Sequence, residues 1–213
     1  MQLLVTIIQV IDESQSFDAK RGYCGAFAFK FFVAGEWREV VVDDRLPTIR
    51  GKLLFLKSGD ENEFWPCLLE KAFAKLSGCY DGLSGGDFTE ASSYFGAISE
   101  SFNIRGPYFG GLDPKYVKDR VREAHKLGSL CGAAIFDLGP LNSDSRSKYG
   151  LPSGHAYTLT GSEEEQVEVR NPWGEKTEWV GQQSAPDGEF WIEWNHFFTH
   201  FHQVRHVCKS KRC

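Results

Sequence analysis

Several common sequence devices are missing from this chain, and each gap narrows what it can be. Six cysteines are present (Cys24, Cys67, Cys79, Cys131, Cys208 and Cys213), but no two are spaced Cys-x-x-Cys. Scattered thiols of this kind point to a reducing intracellular setting, the cytoplasm by default, rather than a disulfide framework. There is no excess of basic charge: the formal net charge is −5, the opposite of what a nucleic-acid partner would require. No apolar run is long enough to cross a bilayer. The segment Met1 to Ile11 is too short for that and has no charged region before it, so neither a transmembrane span nor a signal peptide is expected. An Asp-x-Asp-x-Asp-Gly loop is also missing, which excludes an EF-hand. No internal repeat or low-complexity segment is visible.

What remains is an ordinary globular composition, 41% hydrophobic and 25% charged over 213 residues, enough for one large domain or two small ones. Aromatics make up 14%, so large side chains are expected to carry much of the core. Alternating Phe27, Phe29 and Phe31, an Ala34-Gly35 turn and the β-branched stretch Trp37 to Val42 predict a hairpin between Cys24 and Asp44. From Glu63 the period becomes helical. Phe64, Leu68, Leu69, Phe73 and Leu76 share a face, Pro66 stands in the first turn and Gly78 follows the last.

Leu83-Ser84-Gly85-Gly86 reads as a loop and as the boundary between two parts, 1–86 and 87–213. A second helix is predicted from Asp113-Pro114 to Gly128, with Val117, Val121 and Ala124 on one face. Strand patterns then dominate at Leu130 to Leu138, His155 to Thr160, Gln166 to Arg170 and Gly188 to Trp194. The fold class is α+β: a mixed, helix-containing first part and a largely antiparallel second part.

The chemistry is concentrated in the second part. Ser153-Gly154-His155-Ala156-Tyr157 enters one strand, and Arg170-Asn171-Pro172-Trp173-Gly174 closes the next. A lone His near a strand is usually structural, and Asn-Pro alone is a common turn. Together they are more specific. An Asn side-chain oxygen that accepts from one imidazole nitrogen leaves the other free to take a proton from a thiol. A Trp beside them can shield that bond from water. This is how papain-like cysteine proteases orient their general base.

Further motifs occur in order along the chain: Glu36-Trp37 with Val40-Val41-Val42-Asp43-Asp44-Arg45-Leu46-Pro47, Asn62-Glu63-Phe64-Trp65, and Leu69-Glu70-Lys71-Ala72. Leu83-Ser84-Gly85-Gly86, Gly154-His155-Ala156-Tyr157, the Asn171 motif and Asp187-Gly188-Glu189-Phe190-Trp191 follow. From about Gln15 to Cys208 the chain resembles the calpains, calcium-dependent cysteine endopeptidases. The resemblance implies a papain-like fold, with a first subdomain carrying the nucleophile and a second, antiparallel one carrying His and Asn. It implies that His155 is the general base, Asn171 its orienter and Trp173 the cover over their bond. It also implies that Gly154 faces the scissile residue and that Gly85 and Gly86 bind substrate backbone, where glycine lets another chain approach closely.

In the family the nucleophile lies in a Gly-Asp-Cys-Trp segment, with an oxyanion-hole Gln just before it. Neither occurs in this sequence, and Cys24 falls on the predicted hairpin instead of a helix N-terminus. None of the six cysteines is expected to be catalytic, because a thiol needs a neighbour that lowers its pKa. The expectation is a family core without its Cys-bearing piece, inactive by itself. The apolar faces of the Phe64–Leu76 helix and the Phe27/Phe29/Phe31 strand are accordingly expected to be partly uncovered.

Calcium is the cofactor that the resemblance implies. Glu63 resembles a ligand of one site. Asp187 and Glu189 resemble ligands of a second, with Glu178 and the Ala185 carbonyl as completers. The short stretch from Trp179 to Asp187 leaves a solvated acidic turn as the alternative, since calcium takes six or more oxygens. His196, His200, His202, His206, Cys208 and Cys213 invite a zinc reading, but interleaved Phe197, Phe198, Phe201 and Val204 favour a structural amphipathic helix. Implied partners are polypeptide substrates and further calpain domains or an upstream segment. The competing function is a protease-derived scaffold that binds proteins without cutting them.

Overall fold

A hairpin of alternating aromatic and small residues starts the fold. β1 (Ala26–Val33) and β2 (Glu36–Asp43) pair antiparallel from Ala26↔Asp43 to Val33↔Glu36. The turn residues Ala34 and Gly35 both take positive φ, 53° and 87°, the primed geometry whose twist matches the flanking strands. The computed structural model describes residues 10–11, 14–58, 60, 62–104, 111–136, 150–174 and 188–208. These fall into two compact units that divide after Gly96.

In the first unit, Phe27, Phe29 and Phe31 line one face of β1 and are all buried. Helix α1 (Trp65–Leu76) supplies Leu68 and Ala72 to the same core, flanked by Phe73, Tyr94 and Phe95. Val10 is buried here too, and Ile11 makes a β-bridge to Phe29. The strand phenylalanines and Leu68 are therefore covered, whereas Phe64, at the start of the helix face, stays 39% exposed. Each buried phenylalanine contributes about 1.5–3 kcal/mol relative to an exposed one.

The ribbon's backbone is closed by side chains. The Gln15 carboxamide donates to the Ala28 carbonyl at 2.9 Å and accepts from the Ala28 N–H, standing in for a further strand. Lys71 donates to the carbonyls of Asp43 and Arg45, and Lys75 donates to that of Val41 at 2.7 Å. Capping of this kind blunts an exposed strand edge. A small hairpin of β3 (Thr48–Ile49) and β4 (Lys52–Leu53), a 3-10 turn at Tyr80–Leu83 and α2 (Phe88–Ser93) complete the unit.

The second unit holds β5 (Ile98–Asn103), α3 (Pro114–Lys126), β6 (Cys131–Ile135), β7 (His155–Ser162), β8 (Gln166–Arg170), β9 (Glu189–Glu193), α4 (Trp194–His200) and β10 (Gln203–Cys208). Its strands form a six-stranded sheet in the order β5-β10-β6-β7-β8-β9, with every neighbouring pair antiparallel. Helix α3 is capped by Asp113, which accepts from Lys115 N–H, and has Pro114 at its first position. Its buried residues Val117, Val121 and Ala124 share one core with Leu159, Val167, Val169, Ile192, Phe197 and Phe201. The α+β expectation holds.

Candidate active site

β7 begins at His155 and β8 ends at Arg170, so an antiparallel pairing brings the start of one beside the end of the other. Their register pairs Thr158 with Arg170; continued outward, it sets His155 against Trp173. The His155 and Trp173 rings accordingly lie 4.2 Å apart, centre to centre, at a 41° tilt. Trp173 is 56% exposed, so one face covers the histidine and the other meets solvent.

Asn171, only 1% exposed, follows β8 directly. Its Oδ1 lies 2.8 Å from His155 Nε2. The same oxygen accepts the Trp173 backbone N–H at 3.1 Å, closing an Asx-turn. This second bond settles the chemistry of the first. A backbone N–H can only donate, so the atom that it meets is oxygen, and Nε2 must then carry a hydrogen to meet that same oxygen. In the neutral ring Nδ1 is left with a free lone pair. Burial holds the His155 pKa below the ordinary histidine value, partly offset by the hydrogen bond that it donates to Asn171. A half-buried imidazole that is neutral near pH 7 and bare at Nδ1 can take a proton from a donor presented there.

The glycines differ among themselves. Gly154, at φ +64°, makes the left-handed step into β7 that an L side chain would resist. Gly85 and Gly86 are exposed, and a Cβ on either would meet nothing within 4 Å. Nothing in their own unit requires glycine there.

The side chains of four cysteines are described, all of them free thiols. Cys24 and Cys79 are exposed; Cys79 directly precedes the short 3-10 turn Tyr80–Leu83, where its side chain makes no capping bond. Cys67 is buried on α1 and donates to the Leu56 carbonyl at 3.1 Å; burial raises its pKa. Cys131 is fully buried on β6, and burial pushes its thiol up to about 12. A thiol so held is inert at neutral pH.

Among the described residues the acidic side chains do not assemble into a donor set. Glu63 accepts the Ser58 hydroxyl on one oxygen and the Trp65 indole N–H, at 2.5 Å, on the other. Each oxygen thus already accepts one hydrogen bond from a neutral donor. Glu189 opens β9 and faces Arg170, its cross-strand partner, at 3.9 Å. Glu178, Ala185 and Asp187 lie outside the described residues. Among the described residues no three His, Cys, Asp or Glu side chains converge. The C-terminal histidines have other work: His206 bonds Glu100 at 3.0 Å and stacks on Phe102. His202 Nδ1 accepts the Phe136 N–H at 3.2 Å. The structural reading of this region holds in part, with α4 ending at His200 and β10 replacing the rest of the predicted helix.

One residue beside the site is not apparent from sequence reasoning. Gly188, which the sequence pattern places at the start of a strand, is buried and accepts the Asn171 N–H at 3.0 Å through its carbonyl. The signal available in the sequence was a glycine placed just before the strand that pairs with β8.

Comparison with known proteins adds the family. Residues 4–186 match the model of the calpain family cysteine proteases. The chain is 39% identical to rat (Rattus norvegicus) calpain-9 over 95% of its own length and 32% of that protein. It is 38% identical to the bovine (Bos taurus) calpain-2 catalytic subunit, with the same coverage. Mouse (Mus musculus) calpain-8 is also 38% identical, over 95% of this chain and 31% of that protein. The chain thus spans about a third of the length of these relatives. The aligned stretch of 231 residues exceeds the chain's own 213, so the relatives carry residues with no counterpart here. Family match, identity and coverage agree: this chain belongs to the calpain family of cysteine proteases.

Proposed function

We propose that this chain carries the base-bearing half of a calpain-type endopeptidase site, on a papain-like arrangement of two parts, and acts on intracellular polypeptides in the cytoplasm. The observation that carries this reading is the single oxygen of Asn171 shared by His155 Nε2 and the Trp173 N–H. In this role His155 accepts the thiol proton at Nδ1 and later returns it to the leaving amine. Asn171 fixes the ring's tautomer, and Trp173 excludes water from one side of their bond. Gly154 leaves room for the residue being cleaved, while Gly85 and Gly86 offer a strip against which substrate backbone can lie.

The nucleophile belongs to a segment that these 213 residues do not include, since no Gly-Asp-Cys-Trp run occurs in them. That same fact favours a second reading, a calpain-derived scaffold that binds proteins without cutting them. Among the described residues no helix is long and apolar enough to cross a membrane. Calcium rests on family likeness alone. Glu63 already accepts from two neutral donors; the ion's preferred place would be the Asp187–Glu189 turn with Glu178 and the Ala185 carbonyl.

One experiment separates these readings. The chain alone is assayed on casein with calcium, and again after fusion behind the Cys-bearing segment of a calpain relative. The expected result is no cleavage by the chain alone, consistent with a loss of about 10⁶-fold when a triad enzyme lacks its nucleophile. Cleavage by the fusion should vanish with His155→Ala and weaken with Asp187→Ala/Glu189→Ala. Cleavage by the chain alone, abolished by alkylation and by His155→Ala, would contradict the account. A properly folded fusion without activity would favour the scaffold.

A further inference from the structure

The bond between His155 and Asn171 depends on where the Asn171–Gly174 turn sits, and that turn is pressed against a residue from another strand. Gly188 is buried just before β9, with φ +83°. Its carbonyl accepts the Asn171 N–H at 3.0 Å, one rung beyond the Arg170↔Glu189 pair. The turn is closed on itself by Gly174 N–H donating to the Asn171 carbonyl at 3.1 Å. A Cβ at position 188 would lie 2.9 Å from the Asn171 carbonyl oxygen and 3.0 Å from the Gly174 Cα. Both neighbours are backbone, so neither can swing aside as a long side chain would. Position 188 is thus restricted twice, by a conformation that L residues resist and by a contact that only hydrogen fits.

Gly188 touches Asn171 and Gly174, the two ends of the turn whose middle residue covers His155. We infer that Gly188 is a positioning residue: by docking its bare Cα against this turn it sets the place of Asn171 Oδ1 and thereby the Nε2–H tautomer of His155. The chain of action runs from β9 through the Asn171 backbone to the Asn171 side chain, and from there to the imidazole. Displacing the turn by even a few tenths of an ångström lengthens a 2.8 Å hydrogen bond whose strength falls steeply with distance and angle. It also moves Trp173, which hangs from the same turn.

The inference rests on the reading of His155 as the base, but its test does not use peptidase activity, so the two can fail separately. The full chain is labelled with ¹⁵N-histidine and compared as wild type, Gly188→Ala, Asn171→Ala and Gly35→Ala. Gly35 is a control with the same left-handed backbone, φ +87°, and nothing within 4 Å of an added Cβ. The wild type and Gly35→Ala should show neutral His155 mainly as the Nε2–H form, with its hydrogen-bonded proton visible. Gly188→Ala should show a mixture of tautomers and lose that proton signal, as Asn171→Ala does. A folded Gly188→Ala chain that keeps the wild-type tautomer and proton signal overturns the inference. Should Gly188→Ala not fold, hydrogen exchange of the wild type decides. An Asn171 amide protected on a par with the β8 amides supports the clamp, and one exchanging like an open turn refutes it.

Discussion

The first unit buries three phenylalanines of a two-stranded ribbon under essentially one long helix, while the second spreads its core over six strands and two helices. The ribbon alone cannot satisfy its edges, so Gln15, Lys71 and Lys75 do it with side chains. The residues of that unit with a supposed role, Glu63, Gly85 and Gly86, sit on exposed loops. In the second unit the supposed site grows from the ends of adjacent strands, and the ladder that builds the core also fixes the distance between His155 and Asn171. Strand register is the more exacting positioning device, because each rung is tied to the next by backbone hydrogen bonds.

The largest effect that can test this contrast is a core deletion in the simpler unit. Phe31 is fully buried and packs against Phe73 and Phe95. Phe31→Ala should cost about 3–5 kcal/mol in chemical denaturation. Phe64, on the same side of the sequence pattern but 39% exposed, should cost less than about 1 kcal/mol as Phe64→Ala. Equal losses would mean that the ribbon's core is not organised as described.

Acid should divide the units more gently. In the second unit burial holds His125 and His155 below the usual histidine range, opposed by the Leu159 carbonyl for His125 and by Asn171 for His155. The unfolded chain therefore binds protons first, and the stability tied to both groups is complete above about pH 6.5 and lost as pH falls below it. In the first unit burial raises the Glu70 pKa, opposed by the Leu56 N–H. Here the sign reverses: the cost of holding that charge is felt above the folded pKa and relieved as pH falls. Residue-resolved hydrogen exchange at pH 7 and pH 5 should show protection dropping in β6–β8 and not in α1. His125→Gln should shrink the drop. A uniform loss across both units would break the comparison.

Much of this was legible in the sequence where the code is local. The Phe27/Phe29/Phe31 alternation with Ala34-Gly35, the Pro66 and Asp113-Pro114 helix starts and the Gln166–Arg170 strand all lie where the pattern puts them. β5 was missed because Ser99, Glu100 and Ser101 break the apolar alternation and only Phe102 is buried. Its strand state is imposed by pairing with β10, including His206 opposite Glu100, a partner more than a hundred residues away. The interleaved Phe197, Phe198, Phe201 and Val204 favour a longer helix at the C-terminus, but after His200 the chain enters the sheet as β10, between β5 and β6. Cover for the ribbon came from Val10 and Ile11, residues whose apolar character was plain but whose destination was not. At the site, His155, Asn171 and Trp173 could be read as a motif, whereas Gly188 could not, because its role depends on a contact across strands.

The geometry of the second unit makes His155 a neutral base with its proton on Nε2. A ¹⁵N NMR titration of the histidine-labelled chain reads this out. An Nε2–H tautomer at pH 7 and a His155 pKa below the ordinary histidine value are expected, with Asn171→Ala erasing the tautomer preference. A His155 ring protonated on Nδ1 when neutral, or one titrating above the ordinary histidine value, would contradict it.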